Sequence, residues 1–196
     1  MKLRQIVFAT NNANKLRELR QITAGSGIEI LSLNDIGCHE DIPETAPTLE
    51  GNALLKALHI HTNYGYDCFA DDTGLEVFAL GGEPGVYSAR YAGKKCDSER
   101  NIDKLLKKLN GITDRRARFR TVIALIIDAN IEIFEGEVRG EILYQRQGSE
   151  GFGYDPIFKP DEADCSFAQM SPQEKNAISH RGRAVAAMLP VLLTNI

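Results

Sequence analysis

Apolar positions recur along the chain with two different periods. From Leu3 to Ala9 the residues are mostly apolar and β-favouring, the mark of a buried strand. From about Asn14 the spacing lengthens: Leu16, Leu19, Gln21 and Ile22 give a partly apolar helix face ending near Gly25. Ile28–Leu33 reads as a second strand, followed by an acidic loop, Cys38–Pro47, that contains two prolines. Thr48 can cap a helix whose apolar residues are Leu54, Leu55, Leu58 and Ile60. Cys68–Ala70 closes a short strand, and Gly74–Gly93 reads as glycine-rich loops. A helix starts at Ser98, carries Ile102, Leu105, Leu106 and Leu109 on one face, and is stopped by Gly111. Phe119–Ile127 and Ile131–Val138 make a hairpin about Asp128-Ala129-Asn130. Ser171-Pro172-Gln173-Glu174 has the form of a capping box, with proline at the first helical position. A last helix carries Ala184, Val185, Met188 and Leu189, with a bend or break expected at Pro190. The mixture predicts an α/β fold whose sheet is mixed, because a hairpin cannot be parallel.

A chain of 196 residues makes one domain, or two lobes sharing a core. Its 43% hydrophobic and 26% charged residues are ordinary for a globular protein. The formal net charge of −4 denies it the broad positive field that duplex binding draws on, so a nucleic-acid partner is not expected. No apolar run reaches the ~18 residues needed to span a bilayer, and the first apolar stretch is too short for a signal peptide. A cytoplasmic protein without a membrane partner is expected. The four cysteines, Cys38, Cys68, Cys96 and Cys165, are far apart, with no histidine at zinc-ligand spacing, and read as free thiols. His59 and His61, two apart on a helix, point to different faces and do not form a metal clamp.

Five segments hold candidate chemistry. In Thr10-Asn11-Asn12-Ala13-Asn14-Lys15 a strand gives way to a helix with lysine in its first turn. The amides and dipole of a helix start favour an anion, although Asn12 as a plain cap explains the same residues. No Walker sequence is present, so any phosphate site is not a P-loop. Asp71-Asp72 ends an apolar strand, and extended backbone points the two carboxylates to opposite faces. One could meet a divalent cation and a water while the other holds the turn; an Asx turn into Thr73-Gly74 is the simpler alternative. Gly81–Tyr91 is a tightly specified glycine-proline loop in which Arg90 suits an ion pair. In Gly151-Phe152-Gly153-Tyr154-Asp155 the glycines would let Phe152 stack on a planar ligand, or Phe152 is simply a core aromatic. Lys175, His180 and Arg181 supply donors suited to carbonyl or phosphate oxygens, or line a helix surface.

The order of these blocks is more specific than any one of them. Thr-x-Asn-x-x-Lys at 10–15, Asn-Ala-x-x-Lys-Ala at 52–57, Ala-Asp-Asp-Thr-Gly-Leu at 70–75 and Gly-x-Pro-Gly-x-Tyr-Ser-Ala-Arg-Tyr at 82–91 come first. Gly-Phe-Gly-Tyr-Asp-Pro-x-Phe at 151–158 and Ser-His-Arg-Gly at 179–182 follow. Taken together, nearly the whole chain resembles the inosine triphosphate pyrophosphatase family, also called dITP/XTP pyrophosphatases. The resemblance implies Mg²⁺-dependent hydrolysis of ITP, dITP and XTP to the monophosphate and pyrophosphate. It also implies an elongated, two-lobed single domain over residues 1–196, with a nucleotide cleft between lobes, and a homodimer. Carried onto this sequence, Thr10, Asn11, Asn12, Ala13, Asn14 and Lys15 would bind the triphosphate. Asp72 would be the catalytic base and a metal contact, Glu44 a second metal contact, and Thr73 would lie on the substrate. Phe152, Gly153, Tyr154, Asp155, Lys175, His180 and Arg181 would line the nucleotide and base pocket.

Donors facing the base would favour a 6-oxo group over adenine's amino group. Two other readings use the same residues: a pyrophosphatase for another modified nucleotide, such as a pyrimidine, and a sensor that holds a triphosphate without cleaving it. The Asp71-Asp72 pair opposes the sensor, since added negative charge helps a triphosphate site only with a metal. One position departs from the family pattern. Gly51 stands where many relatives carry glutamate before the asparagine, which removes the reciprocal cap with Thr48 and leaves the start of that helix in question.

Overall fold

The computed structural model describes residues 4–194. In chain order the elements are β1 (Arg4–Phe8), α1 (Ala13–Ile22), β2 (Ile28–Leu31), α2 (Leu49–Tyr64), β3 (Cys68–Val77) and β4 (Pro84–Gly85). Then come α3 (Ser98–Lys108), β5 (Arg116–Ile127), β6 (Asn130–Ile142), β7 (Phe158–Pro160), α4 (Pro172–Ile178) and α5 (His180–Thr194). One sheet has the strand order β2-β1-β3-β5-β6-β7, with β4 paired to β3 off this path. β1 runs parallel to β2 and β3, while β4 on β3 and β7 on β6 are antiparallel. The sheet is mixed, as the hairpin requires. Asp128 and Ala129 make its two-residue turn, both with positive φ, the backbone twist that tight hairpins favour.

The chain divides into two compact units. The first comprises residues up to Asp72, Thr121–Gly136 and the chain from Arg181 on; the second comprises Thr73–Arg120 and Glu137–His180. In the first, the period of two along each strand builds two cores. Ile6, Phe8, Phe69, Ile123 and Leu125 pack with Leu19 of α1 and Ala184, Val185 and Met188 of α5. Val7, Ala9, Cys68, Ala70, Ala124 and Ile126 pack instead with Ala53, Ala57 and Ile60 of α2. β1, β3 and β5 are therefore covered on both faces here, which explains their nearly continuous apolar runs. In the second unit, one core gathers Leu75, Val77, Phe119, Phe158 and Phe167 around Ile102 and Leu105 of α3 and Leu109, which caps its end.

Three expectations change. β3 does not stop at Ala70 but runs on to Val77, so Asp71, Asp72, Thr73 and Gly74 lie in a strand and not in an Asx turn or loop. The cause lies further along the chain: a Cβ at Gly74 would sit 2.8 Å from the Gly85 carbonyl oxygen, so only glycine lets β4 pair there. On α2 the buried apolar residues are Leu49, Ala53, Ala57 and Ile60, whereas Leu55 and Leu58 are exposed. α5 is not broken at Pro190; it continues to Thr194, with Leu192 buried in the core and holding the last turn. The first strand's predicted start at Leu3 lies outside the described residues.

Candidate active site

Alternation along β3 sends Asp71 to the face of Phe69, under α1 and α5, and Asp72 to the face of Ala70, under α2. The two carboxylates accordingly meet different partners. Asp71 is 1% exposed and accepts from Lys15 Nζ at 2.8 Å and Arg181 Nε at 3.1 Å. Arg181 is itself buried and also pairs with Glu18 of α1. Asp72 is buried and accepts from Asn52 Nδ2 at 3.0 Å. One turn along α2, Lys56 Nζ donates to Glu44 Oε1 at 2.6 Å and to the Asp71 carbonyl at 2.7 Å. Asn52 and Lys56, four apart, share one helix face, and Asn52 Oδ1 also accepts from the Ala46 amide at 2.9 Å, tying down the acidic loop.

These surroundings push the paired acids in opposite directions. Burial acts to raise the pKa of Asp71, but Lys15, Arg181 and Lys56 outweigh it and hold that carboxyl far below the usual carboxylate range. At Asp72 burial prevails: its pKa is raised above the ordinary value, with Lys56 and Lys15 offsetting part of the effect and Glu44 adding to it. Burial likewise lowers the pKa of Lys15 against the pull of Asp71. Burial also opposes the charge of Lys56, but Asp72, Glu44 and Asp71 together raise its pKa. Asp71 is thus a fixed anion between cations, and Asp72 a carboxylate whose proton affinity burial raises.

The turn into α1 is organised by its asparagines. Asn12 is the N-cap, its Oδ1 accepting from the amides of Asn14 at 2.9 Å and Lys15 at 3.2 Å. The Asn12 amide donates to Thr10 Oγ1 at 3.2 Å, and Asn11 Nδ2 to Asp41 Oδ1 of the acidic loop at 3.2 Å. Ala13 opens the helix, exposed beside Asn11 and Asn12. Structure thus brings Thr10–Lys15, Glu44, Asp72 and Arg181 into the first unit, where Asp71, Glu18, Asn52 and Lys56 complete the constellation. Sequence reasoning gave no role to these last three. Asn52 and Lys56 had a signal, their four-residue spacing within one block; Glu18 had none, since its partner lies 163 residues away.

The remaining predicted residues lie in the second unit. Thr73 follows Asp72 in β3 and is half-buried. Asp155 is buried and accepts from the Phe152 amide and Lys175 Nζ, each at 2.8 Å. Gly151 is required beside it, because φ is +75° and any Cβ would collide with the Asp155 carboxylate. Lys175 also lies 4.8 Å from the Phe152 ring centroid, within cation–π reach. The capping box Ser171–Glu174 starts the helix that presents Lys175. Gly153 makes the turn at φ +64°, and the hydroxyl of buried Tyr154 donates to the Ser88 carbonyl at 2.9 Å. His180 is buried, stacked on Phe119 with centroids 4.6 Å apart. Tyr154 and Asp155 therefore hold this loop from inside, while Phe152 is half-buried at its surface.

The helix start left in question by Gly51 is intact: Thr48 caps α2 and accepts from the Gly51 amide at 3.0 Å. A Cβ at Gly51 would lie 2.6 Å from the Ala46 Cβ, so the acidic loop packs where a larger side chain would begin.

The chain is similar to known proteins over nearly its whole length. The chain is 55% identical over 185 residues to a dITP/XTP pyrophosphatase of Flavobacterium psychrophilum, covering 94% of this chain and 97% of that one. It is 54% identical to a dITP/XTP pyrophosphatase of Porphyromonas gingivalis, covering 97% and 98%. The fold matches the Staphylococcus aureus Ham1 protein with a TM-score of 0.88 at 41% identity, covering 98% of this chain and 100% of that one. It also matches a nucleoside-triphosphatase (dITP/XTP pyrophosphatase) of Mycobacterium abscessus with a TM-score of 0.75 at 42% identity, covering 95% and 99%. Residues 6–191 match the profile of the Ham1 family, and the chain belongs to that family.

Proposed function

We propose that the chain hydrolyses deaminated purine nucleoside triphosphates, dITP, XTP and ITP, to the monophosphate and pyrophosphate, with Asp72 as the general base. The observation that carries this reading is the contrast between Asp71, neutralised by Lys15 and Arg181, and Asp72, whose proton affinity burial raises. A base works best with a pKa drawn toward the operating pH, and Asn52 orients the Asp72 carboxylate for a water. The near-full-length likeness to relatives named for this activity supports the substrate class. Asp71, Arg181 and Glu18 act as positioning residues: their buried pairing fixes β3 against α1 and α5, and with it the neighbouring Asp72.

Mg²⁺ suits the donors present. Glu44 and Asp72 surround Lys56, so a cation is already accommodated among these oxygens, and an all-oxygen set fits a hard ion. Glu44 and Asp72 would hold it, and bound there it would supply neutralisation of phosphate charge. Thr10–Lys15 would take the triphosphate on the positive end of α1, with Lys15 sharing its ammonium between phosphate and Asp71. In the second unit Phe152 would stack on the base and Thr73 contact the substrate. Asp155 and Lys175 would hold that loop in shape around Gly153 and Tyr154, and His180 would complete the pocket. A cytoplasmic homodimer belongs to the same reading; among the described residues no helix is long and apolar enough to cross a membrane. Sedimentation equilibrium tests the dimer.

The deciding experiment is a panel of dITP, XTP, ITP, dATP, dGTP and modified pyrimidine triphosphates with Mg²⁺, scored for pyrophosphate. Much faster release from the deaminated purines is expected. Equal rates across the panel, a preference for a pyrimidine, or release of single phosphate would overturn the reading.

A further inference from the structure

Outside the Asp72 constellation, but still in the first unit, three side chains from two segments converge. Cys38 follows the left-handed Gly37 that ends a short 3₁₀ turn, and is buried with its amide bound to the Leu33 carbonyl. Glu40 lies two residues on, and His59 comes from α2. Cys38 Sγ, a Glu40 carboxylate oxygen and an imidazole nitrogen of His59 all lie within 4.8 Å of one another. His59 Nε2 and Glu40 Oε1 are 3.0 Å apart. Cys38 and His59 are 21 residues apart, so the group is assembled by the fold and carries no local zinc motif.

We propose that Cys38, Glu40 and His59 form a binding site for a borderline-soft divalent cation, Zn²⁺ being the natural occupant. Thiolate, imidazole and carboxylate are the ligand types that zinc takes and that Mg²⁺, which wants an all-oxygen octahedron, does not. Zinc ligand atoms stand roughly 3.3–3.7 Å apart in a tetrahedron, so closing the group requires movements of about an ångström, within the reach of the exposed Glu40 side chain. The outer groups are also in place. Asn63 Nδ2 lies 3.2 Å from His59 Nδ1, and the Tyr64 hydroxyl donates to Glu40 Oε1 at 3.1 Å. With Asn63 donating to Nδ1, the imidazole proton sits on Nε2. On binding, that proton passes through solvent to Nδ1, Asn63 turns its amide oxygen to accept it, and Nε2 takes the metal. Cys38 gives its thiol proton to solvent, and the fourth coordination position is left to water. Such outer partners fix imidazole orientation in metal sites.

The placement also gives the site a consequence. Cys38 and Glu40 start the acidic loop that carries Glu44, and His59 lies three residues beyond Lys56 on α2. A metal there staples loop to helix close to the Glu44–Lys56 pair, independently of whether the chain is a hydrolase.

The test uses the full chain with zinc alone, in competition with a chromophoric chelator, and Co²⁺ as a spectroscopic probe. One zinc per chain is expected, with a sulfur-to-cobalt charge-transfer band. Cys38→Ala should abolish the band, and Cys38→Ala and His59→Gln should each weaken zinc binding by roughly 100-fold or more, with unchanged melting temperature in chelator. Asn63→Ala should weaken binding by roughly 10-fold, while Cys96→Ser, at an exposed thiol elsewhere, should leave it intact. Binding that survives both Cys38→Ala and His59→Gln, a cobalt spectrum without the sulfur band, or loss of the band in Cys96→Ser overturns the proposal.

Discussion

Replacing Asp72 by asparagine removes a charge that the fold disfavours, whereas the same change at Asp71 removes one that two enclosed cations require. Asp72→Asn should therefore lower turnover by about 10²–10⁴-fold, the usual worth of a general base, with a melting temperature equal to or above that of the parent. Asp71→Asn should cost about 3–5 kcal/mol in urea unfolding, since it removes the carboxylate that both Lys15 and Arg181 engage. The signs of the pH effects differ as well. Because the pKa of Asp71 is depressed on folding, its stabilisation is present above its unfolded value and is lost as the pH falls through the folded one. For Asp72, raised on folding, the ionised form is the costly one, so in the metal-free protein its carboxyl should titrate above the ordinary aspartate value, and bound Mg²⁺ should pull that titration down. Titration of Asp72 at an unperturbed aspartate value in the metal-free protein would remove the observation on which its role as the base rests. Gly51 makes a separate case. Gly51→Glu would complete a capping box with Thr48 but drives a Cβ against Ala46, so a net loss of about 1–3 kcal/mol is expected; a rise in melting temperature would show that the loop yields.

At the scale of elements, what was legible had local causes. α1, α3 and the hairpin were readable because the cap, the apolar face and the turn all lie within a dozen residues. β3 was not, because Gly74 looks like a loop residue until β4 brings the Gly85 carbonyl against it. The buried face of α2 was misjudged for a related reason. The sheet beneath it presents Cys68, Ala70 and Ala124, small enough for the helix to come close, so Ala53 and Ala57 make the contact and the larger Leu55 and Leu58 face outward. Thermal melts can check this: Ala57→Leu should overpack the interface and cost about 1–3 kcal/mol. Leu55→Ala should stay within about 0.5 kcal/mol of the parent, as surface changes do. The site divides along the same line. Asp71 and Asp72 were separable from strand alternation alone, whereas the pairing of Arg181 with Glu18 depends on α5 returning to α1.

At the scale of the whole molecule, charge placement decides what the net −4 means. In the first unit three cations, Lys15, Lys56 and Arg181, are interlocked with four carboxylates, Glu18, Glu44, Asp71 and Asp72. A triphosphate approaching this cluster meets positive groups already engaged by carboxylates, and one negative charge in excess. Repulsion of that kind is relieved only by a further cation arriving with the substrate. A non-hydrolysable dITP analogue should accordingly bind in Mg²⁺ and weaken by at least about tenfold, roughly 1.4 kcal/mol, when EDTA replaces the metal. Lys56→Met should widen that gap, because it removes the ammonium that now balances Glu44 and Asp72. Calorimetry on the parent and this variant, with and without metal, reads both effects. Equal affinity in Mg²⁺ and EDTA would mean that the cations of the cluster suffice for the phosphates, and Glu44 and Asp72 would then lose their role as metal ligands.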